Sequence, residues 1–493
     1  MIWHATQSSR CLSWAAVILT LTTGCSDSPT EPHQTMARPL TPPSSHALVS
    51  YFPPSELTGG WRKTTDPQAL AGLGIDATRL ADLGSYTMSL PWENYRIGVR
   101  GYDPSNKASL VIKNGWVVGE WYNQASAQTA MYYLASNGKT FAMMLLGKLV
   151  LEHPELGIRL STPLYDPRWL PQGFPLSDPR KATITFGQLL KHVSGVIPQV
   201  EDPIANVSVL PDPRWNFEAF TVGKDADFPV TAPLYYSPGD PSSYTKGDTY
   251  SSVAFNHLSL VFRNVTGLEA SVYLRRKMLN PIGAGVMRYR LSSGMGSYVW
   301  ATGGNNFAGA RDYARLAYLL LHEGNWAGRR IFAASWIRQF TTVAGYPNIT
   351  SNARCGWGTA YPKDMYRIIG SGVNLAFVIP SLDLVATLNG RTPNALRDQV
   401  TAEFLRRLFG SITQQYVTCN GQVVNGGPPT DPLLLRAAER ADVVQPEQPG
   451  LGPRGGSRQS ARAWPAPFPS ASRQSKPYRP VSAPCLPQDP QFR

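Results

Sequence analysis

Two strand-rich segments lie far apart in the sequence and must share one sheet. The first, at 109–122, contains Asn114-Gly115 between runs of β-branched and aromatic residues and predicts a hairpin with a type I′ turn, which needs positive φ at both central residues. The second, at 366–380 and 384–388, is predicted as two strands joined by a turn at 380–383. The sequence therefore predicts one sheet built from distant segments with a mostly helical lobe inserted between them.

Helical patterns fill most of the chain between these strands. The pattern at 136–151 is apolar at nearly every turn, which is typical of a buried helix. A second helix is predicted at 186–193, after Thr185 as N-cap and before Gly195. Further helices are predicted near 76–83, 254–264, 310–322, 336–342 and 393–409.

The N-terminal residues predict an export signal at 1–25. Arg10 precedes an apolar run at 12–21 that is too short to span a membrane. The run ends at Cys25 in a sequence similar to the lipobox of bacterial lipoproteins, although Thr22 stands where that motif prefers Leu. We expect an exported periplasmic or cell-envelope lipoprotein held to the membrane by a lipid on Cys25; a cleaved secretory peptide without lipid is the alternative.

Composition divides the rest of the chain. A Pro- and Ser-rich flexible linker is predicted at 26–51, a folded body at 52–425, and a disordered Pro- and Arg-rich tail at 426–493. The net charge of +13 is spread between body and tail without a basic stripe interleaved with aromatics, so no nucleic-acid partner is expected. No Cys or His spacing resembles a metal site, and neither metal nor cofactor is expected. Cys355 and Cys419 can pair in an oxidising compartment, but the sequence leaves that open.

Ser136 and Lys139 carry the chemistry predicted for the body. Residues three apart lie on one face of a helix, so the hydroxyl and the amine can meet. A buried lysine has a lowered pKa, and its neutral amine can take the proton of a serine hydroxyl. The same spacing recurs at Ser243 and Lys246, but in a Pro- and Ser-rich loop, whereas Ser136 opens a buried helix whose N-terminus favours a developing oxyanion.

Over roughly residues 75 to 412, the ordered motifs resemble the serine β-lactamase-like hydrolases: class C β-lactamases, penicillin-binding proteins, carboxylesterases, D-aminopeptidases and 6-aminohexanoate-dimer hydrolases. Besides the Ser-x-x-Lys pair, the matching segments are 185–195, 250–267, 303–315 and 324–328. The resemblance implies a mixed α/β (α+β) fold of the β-lactamase/transpeptidase type, with an antiparallel sheet flanked by helices, a mostly helical lobe and the site between them.

The resemblance also implies roles for residues of two further motifs. Tyr250 would relay the proton to the leaving group, with Tyr244 as the alternative. Ser252 stands where relatives have Asn, which weakens the expected hydrogen bond to a substrate amide. The third motif, which reads Lys-Thr-Gly or His-x-Gly in relatives, falls on Ser371-Gly372-Val373. β-Lactamases use its lysine to bind the substrate carboxylate, so the absence of a cation at Ser371 argues for a neutral ester or amide substrate. The backbone N–H groups of Asn374 and Ser136 would form the oxyanion hole.

These predictions converge on a serine hydrolase that cleaves a small-molecule ester or amide through an acyl-enzyme on Ser136. Two alternatives remain: a class C-type β-lactamase or D-Ala peptidase, and an inactive penicillin-recognising scaffold lipoprotein. His192 and His257 are predicted to be structural. No motif supplies a histidine partner for Ser136, which argues against a Ser-His-Asp triad.

Overall fold

The computed structural model describes residues 51–95, 101–198, 200–202, 207–209, 228–243, 249–285, 287–289, 306–343 and 345–426. The predicted signal with Cys25, the tail beyond residue 426 and the alternative relay residue Tyr244 lie outside these residues. The chain divides into two units, 1–441 and 442–493, and the second lies entirely outside the described residues.

The described α-helices are α1 (Pro67–Gly72), α2 (Ala77–Ser89), α3 (Asn137–Glu152), α4 (Phe186–Leu190), α5 (Phe228–Thr231), α6 (Ser252–Thr266), α7 (Ala270–Leu274), α8 (Ala310–Leu321), α9 (Ala334–Thr341) and α10 (Arg397–Gly410). The described strands are β1 (Ala108–Lys113), β2 (Trp116–Tyr122), β3 (Tyr132–Tyr133), β4 (Val200–Asp202), β5 (Val207–Val209), β6 (Met287–Tyr289), β7 (Asn306–Ala308), β8 (Asn325–Trp326), β9 (Arg329–Arg330), β10 (Ile349–Ser351), β11 (Tyr366–Gly370), β12 (Asn374–Ile379), β13 (Leu384–Asn389), β14 (Gln415–Val417) and β15 (Val423–Asn425).

The central sheet joins the two ends of the body, as the sequence predicts. Its six strands run in the order β10-β11-β12-β13-β1-β2, and each neighbouring pair is antiparallel. The long-range pairing of β1 with β13 places Ala108 opposite Asn389 and Lys113 opposite Leu384. The hairpin turn has the predicted positive φ at Asn114 (50°) and Gly115 (73°).

Both faces of the central sheet are buried. In β1, Leu110 and Ile112 point into one apolar cluster and Val111 points into another. Helix α8 covers the first face, while α2 and α10 cover the second. A separate three-stranded sheet, β3-β7-β6, lies beside the start of α3.

The predicted strand at 366–380 is wrong in one respect, because the chain turns back within it. Gly372 (φ 82°) and Val373 (φ 58°) adopt left-handed backbone conformations, so β11 and β12 pair as a hairpin. The segment therefore contributes two strands, and the third motif lies in the turn between them. The Gly370-Ser371-Gly372 sequence is a recognised turn signal that the sequence analysis did not use.

Three predicted helices have different bounds in the structure. Helix α4 begins after the Thr185 capping box, as predicted, but ends at Leu190, and His192 then turns left-handed at φ 59°. The C-terminal helix α10 begins at Arg397, since Asn394–Leu396 form a separate 3₁₀ turn. Helix α2 continues six residues beyond its predicted end, to Ser89, and the remaining predicted helices are present to within a few residues.

The cysteine pairing that the sequence left open is present. Cys355 and Cys419 form a disulfide across a sequence separation of 64 residues, with their Cα atoms 5.7 Å apart. Within the described ranges, no helix has the length and apolarity required to cross a bilayer.

Candidate active site

Ser136 lies at the junction of the small sheet and helix α3. It caps the helix with helical backbone angles, and its hydroxyl makes no cap hydrogen bond. The preceding residue, Ala135, has a positive φ of 47°, which is unusual for a residue with a side chain. The Ala135 carbonyl accepts a hydrogen bond from the side chain of Asn306, so strand β7 holds this turn in place.

Asn137 ties the same turn to the central sheet. Its Nδ2 donates to the backbone carbonyls of Leu134 and Asn374, each at 3.0 Å, and its Oδ1 accepts from the hydroxyl of Tyr313 at 3.1 Å. Asn137 is fully buried. The residue after Ser136 therefore connects α3 to the start of β12, where Asn374 had been predicted to serve the same site.

Lys139 meets Ser136 one turn along the helix, as predicted. Its Nζ lies 3.3 Å from Ser136 Oγ and 2.9 Å from Ser252 Oγ. The lysine is completely buried, whereas Ser136 is half-buried. Burial lowers the pKa of the Lys139 amine, and interaction with Tyr250 opposes part of that shift. The arrangement places a dry amine of reduced basicity beside an accessible hydroxyl.

Tyr250 lies on the other side of the lysine. Lys139 Nζ is 4.7 Å from the centroid of the tyrosine ring, and the hydroxyl accepts a hydrogen bond from Asn348 Nδ2 at 3.1 Å. Ser252, the first residue of α6, is also brought to Lys139 through its hydroxyl. The structure thus assembles the four residues Ser136, Lys139, Tyr250 and Ser252 from α3 and from the start of α6.

A cation from elsewhere in the chain, Arg391, contacts the turn that contains Ser371. Ser371 Oγ accepts hydrogen bonds from Arg391 Nη1 at 2.9 Å and Asn394 Nδ2 at 2.8 Å. Arg391 also pairs with Glu93 at 2.6 Å, and its guanidinium lies 4.0 Å from the centroid of the Tyr95 ring. The positive charge of this buried arginine is therefore already paired with the Glu93 carboxylate in the protein without substrate.

The remaining predicted residues lie in the same turn. The backbone N–H of Gly372 donates to Asn394 Oδ1 at 2.9 Å. The side chain of Asn374 is held by the Ser371 carbonyl and by the N–H of Gly390. Asn394 lies in the segment before α10 and holds the Ser371 turn by both of these contacts. The position of the turn therefore depends on a residue more than 20 positions further along the chain.

Gly370 is where the sheet comes closest to the Ser136 turn. A Cβ atom added at this glycine would lie 2.0 Å from the carbonyl oxygen of Leu134 and 3.0 Å from Asn137 Nδ2. Only a residue without a side chain allows this backbone approach. Sequence analysis missed Gly370, although a glycine inside a strand pattern is a recognised signal of close backbone approach.

The two histidines predicted to be structural are both buried. His257 Nε2 is hydrogen-bonded to Tyr165 Oη at 2.8 Å, and burial lowers the His257 pKa to about 3. His192 is stacked on the Tyr250 ring, with centroids 4.0 Å apart, and is hydrogen-bonded to Asn348. Burial lowers the His192 pKa to about 3 as well, with the Lys139 charge contributing. Asn348 was missed, because no local pattern marks it.

The described residues contain no group of three or more His, Cys, Asp or Glu side chains placed to hold a metal ion. What the assembled residues offer is acid–base and nucleophilic chemistry. Lys139 can accept the proton of Ser136, and Tyr250 lies where it can exchange a proton with Lys139.

Comparison with known proteins identifies a family for this chain. A family model described as Beta-lactamase matches residues 105–408. Similar solved structures include the octameric penicillin-binding protein homologue from Pyrococcus abyssi (16% identity, 69% of this chain and 78% of that chain, TM-score 0.45). A D-stereospecific amidohydrolase from Streptomyces sp. has 18% identity over 66% of this chain and 98% of its own, with a TM-score of 0.41.

A third similar structure is a hydrolase with promiscuous acyltransferase activity. It has 14% identity over 66% of this chain and 95% of its own, with a TM-score of 0.47. None of the curated proteins matches the chain.

Proposed function

The chain belongs to the β-lactamase family, with its β-lactamase/transpeptidase-like fold, and on that premise we propose that it hydrolyses a small-molecule ester or amide through an acyl-enzyme on Ser136. Members of this family are mostly hydrolases, including esterases, amidases and penicillin-binding-protein-like enzymes. The observation that carries the proposal is the buried Lys139 amine 3.3 Å from Ser136 Oγ.

The reaction follows from the positions of the protons. Lys139 accepts the Ser136 proton as Oγ bonds to the substrate carbonyl carbon, and the carbonyl oxygen becomes an oxyanion. The backbone N–H groups of Ser136 and Asn374 are proposed to stabilise that oxyanion. The leaving group departs with a proton delivered through Tyr250. Water then attacks the acyl carbon and gives a proton to the Lys139–Tyr250 pair. The bond between the acyl carbon and Oγ breaks, the carboxylic acid leaves, and the pair donates that proton to Ser136 Oγ.

The electrostatics beside Ser371 favour a substrate without a carboxylate at that position. Arg391 is the cation that reaches Ser371, but its guanidinium is already paired with Glu93 and covered by Tyr95. A carboxylate bound there would have to compete with the Glu93 ion pair. A neutral ester or amide would not.

A second candidate is a β-lactamase or D-Ala peptidase, and Arg391 is the observation that favours it. If Glu93 releases Arg391 on binding, the guanidinium becomes available to the carboxylate of a β-lactam or peptide. The third candidate, an inactive penicillin-recognising scaffold, rests on the replacement of the usual Asn by Ser252.

The proposal also places the protein outside the cytoplasm. The disulfide between Cys355 and Cys419 suits an oxidising compartment. We therefore keep the predicted export signal and the lipid anchor on Cys25 as part of the proposal, with a secreted form as the alternative.

Turnover assays separate the three candidates. The purified protein and its Ser136→Ala variant are assayed with a p-nitrophenyl ester and with a chromogenic cephalosporin. Ester turnover that the variant lacks, without cephalosporin turnover, supports the proposed function. Ser136-dependent cephalosporin turnover favours the β-lactamase. No turnover of either substrate, together with no fluorophosphonate or penicillin adduct on Ser136, would favour the scaffold.

A further inference from the structure

A closed ring of hydrogen bonds surrounds the hydroxyl end of Tyr250. The backbone N–H of Ser251 donates to His192 Nδ1 at 2.9 Å, His192 Nε2 lies 2.9 Å from Asn348 Oδ1, and Asn348 Nδ2 lies 3.1 Å from Tyr250 Oη. Since Ser251 follows Tyr250 in the chain, the ring begins and ends at the same tyrosine. His192 and Asn348 are both buried.

The direction of every bond in this ring follows from one backbone amide. The N–H of Ser251 can only donate, so His192 Nδ1 carries no proton. Burial lowers the His192 pKa to about 3, so the imidazole is neutral and its single proton is on Nε2. That N–H must donate to an oxygen, which fixes the amide of Asn348 with Oδ1 toward the histidine and Nδ2 toward the tyrosine.

Tyr250 consequently receives a hydrogen bond that it cannot return in kind. A hydroxyl that accepts from Asn348 has to direct its own proton elsewhere, and Lys139 is the neighbour with which its hydroxyl interacts. The tyrosine proton therefore points to the side of the lysine.

The ring is anchored to the helix that carries the nucleophile. The Asn348 backbone carbonyl accepts a hydrogen bond from Thr140 Oγ1 at 2.9 Å, and Thr140 is the residue after Lys139. The left-handed backbone of His192 (φ 59°) is held by a hydrogen bond from the Tyr236 hydroxyl to its carbonyl at 3.1 Å. Movement of Asn348 relative to Lys139 is therefore restrained from both sides.

Two titratable side chains lie against Tyr250 in the described part of the chain. The titratable groups facing Tyr250 are Lys139 from α3 and the neutral His192 after α4. Lys191 lies over the ring of Tyr346 at 5.2 Å. The hydrogen bond to the Tyr250 hydroxyl comes from the neutral amide of Asn348.

Resting on the proposed function, we propose that Asn348, oriented by His192, is a positioning residue that fixes Tyr250 as a hydrogen-bond acceptor and so directs its proton toward Lys139. The proposal assigns Asn348 no contact with substrate. It predicts an effect on proton transfer rather than on substrate binding.

The direct test is Asn348→Asp, which keeps the shape and reverses the bond to Tyr250. The carboxylate still accepts from His192 Nε2 but can only accept from Tyr250, so the tyrosine proton is drawn away from Lys139. With a p-nitrophenyl ester, kcat should fall at least about tenfold while KM changes less than about threefold. The new negative charge raises the pKa of the Lys139 amine, which must be neutral to accept the Ser136 proton. The acidic limb of the kcat/KM profile should therefore move to higher pH by about one pH unit.

Substitutions at His192 and at the control residue His257 separate the effect on proton transfer from a general loss of stability. His192→Gln keeps one donor and one acceptor and should retain most of kcat, whereas His192→Leu should lower it as Asn348→Asp does. His257 is the matched control, because it is equally buried with its pKa also lowered to about 3, but faces Tyr165. His257→Leu is expected to cost as much thermal stability, yet the kcat of its folded fraction should match that of the wild-type protein.

The outcomes are distinguishable from failure of the proposed function. A wild-type protein that forms no Ser136 adduct and turns over no ester overturns that function and this inference together. An active wild-type protein with an unshifted pH profile in Asn348→Asp, or equal loss of kcat in His192→Leu and His257→Leu, overturns the inference alone. The shifted profile with rescue by His192→Gln supports it.

Discussion

Replacing Gly370 by Ala should separate strand β11 from the turn that carries Ser136. The added Cβ would lie 2.0 Å from the Leu134 carbonyl oxygen, whereas carbon–oxygen contacts are comfortable only from about 3.3 Å. The backbones must therefore move apart by about 1.3 Å, or the turn must deform. The same Cβ would lie 3.0 Å from Asn137 Nδ2, which holds the Asn374 carbonyl.

The expected loss of activity follows from that displacement. A misplacement of about 1 Å in a catalytic arrangement can cost roughly 10²-fold in rate, so kcat for the p-nitrophenyl ester should fall by about that factor. Overpacking of this kind costs about 1–3 kcal/mol of unfolding free energy. Both quantities are measured on the same preparation, by steady-state kinetics and by thermal unfolding.

Gly72→Ala provides the matched control. Gly72 ends helix α1, and a Cβ added there would meet no atom within 4 Å. This variant should keep the wild-type kcat and stability. A folded Gly370→Ala protein with unchanged kcat would refute the argument that the close approach of β11 positions Ser136.

Three further substitutions test separate parts of the account by thermal unfolding. Lys139→Met should abolish ester turnover and raise Tm at pH 7; because burial lowers the folded-state pKa of Lys139, the stability advantage of Met should shrink as the pH rises toward 10.5, where the unfolded lysine loses its proton. Gly147→Ala should destabilise by about 1–3 kcal/mol despite its helix propensity, since the new Cβ would lie 2.3 Å from Cδ1 of Trp336. Cys355→Ser, which removes the bridge to Cys419, should lower the unfolding free energy by about 4 kcal/mol on loop-closure grounds; an unchanged Tm would contradict it.

Local patterns account for what the sequence predicted well. The Asn114-Gly115 turn, the apolar helix α3 and the spacing of Ser136 and Lys139 each depend on residues within one turn or one helix. Their geometry follows from the neighbouring residues alone. The sheet that joins β1 to β13 also followed, because two strand-rich segments needed partners.

The residues that sequence analysis missed owe their positions to distant parts of the chain. Asn348 meets Tyr250 across 98 positions, and Arg391 reaches Ser371 from 20 positions further along. Neither contact leaves a periodic signal. The turn before β12 was missed for a related reason, since Val373 adopts a left-handed conformation that its β-branched side chain disfavours and that only the tertiary structure imposes.

Intact-protein and peptide mass spectrometry after treatment with a fluorophosphonate is the most direct measurement of the central claim, that Ser136 is an activated nucleophile. The account predicts one phosphonyl adduct, located on Ser136, absent from Ser136→Ala and formed much more slowly in Lys139→Met. An adduct on another serine, or no adduct on a folded protein that still turns over an ester, would contradict it.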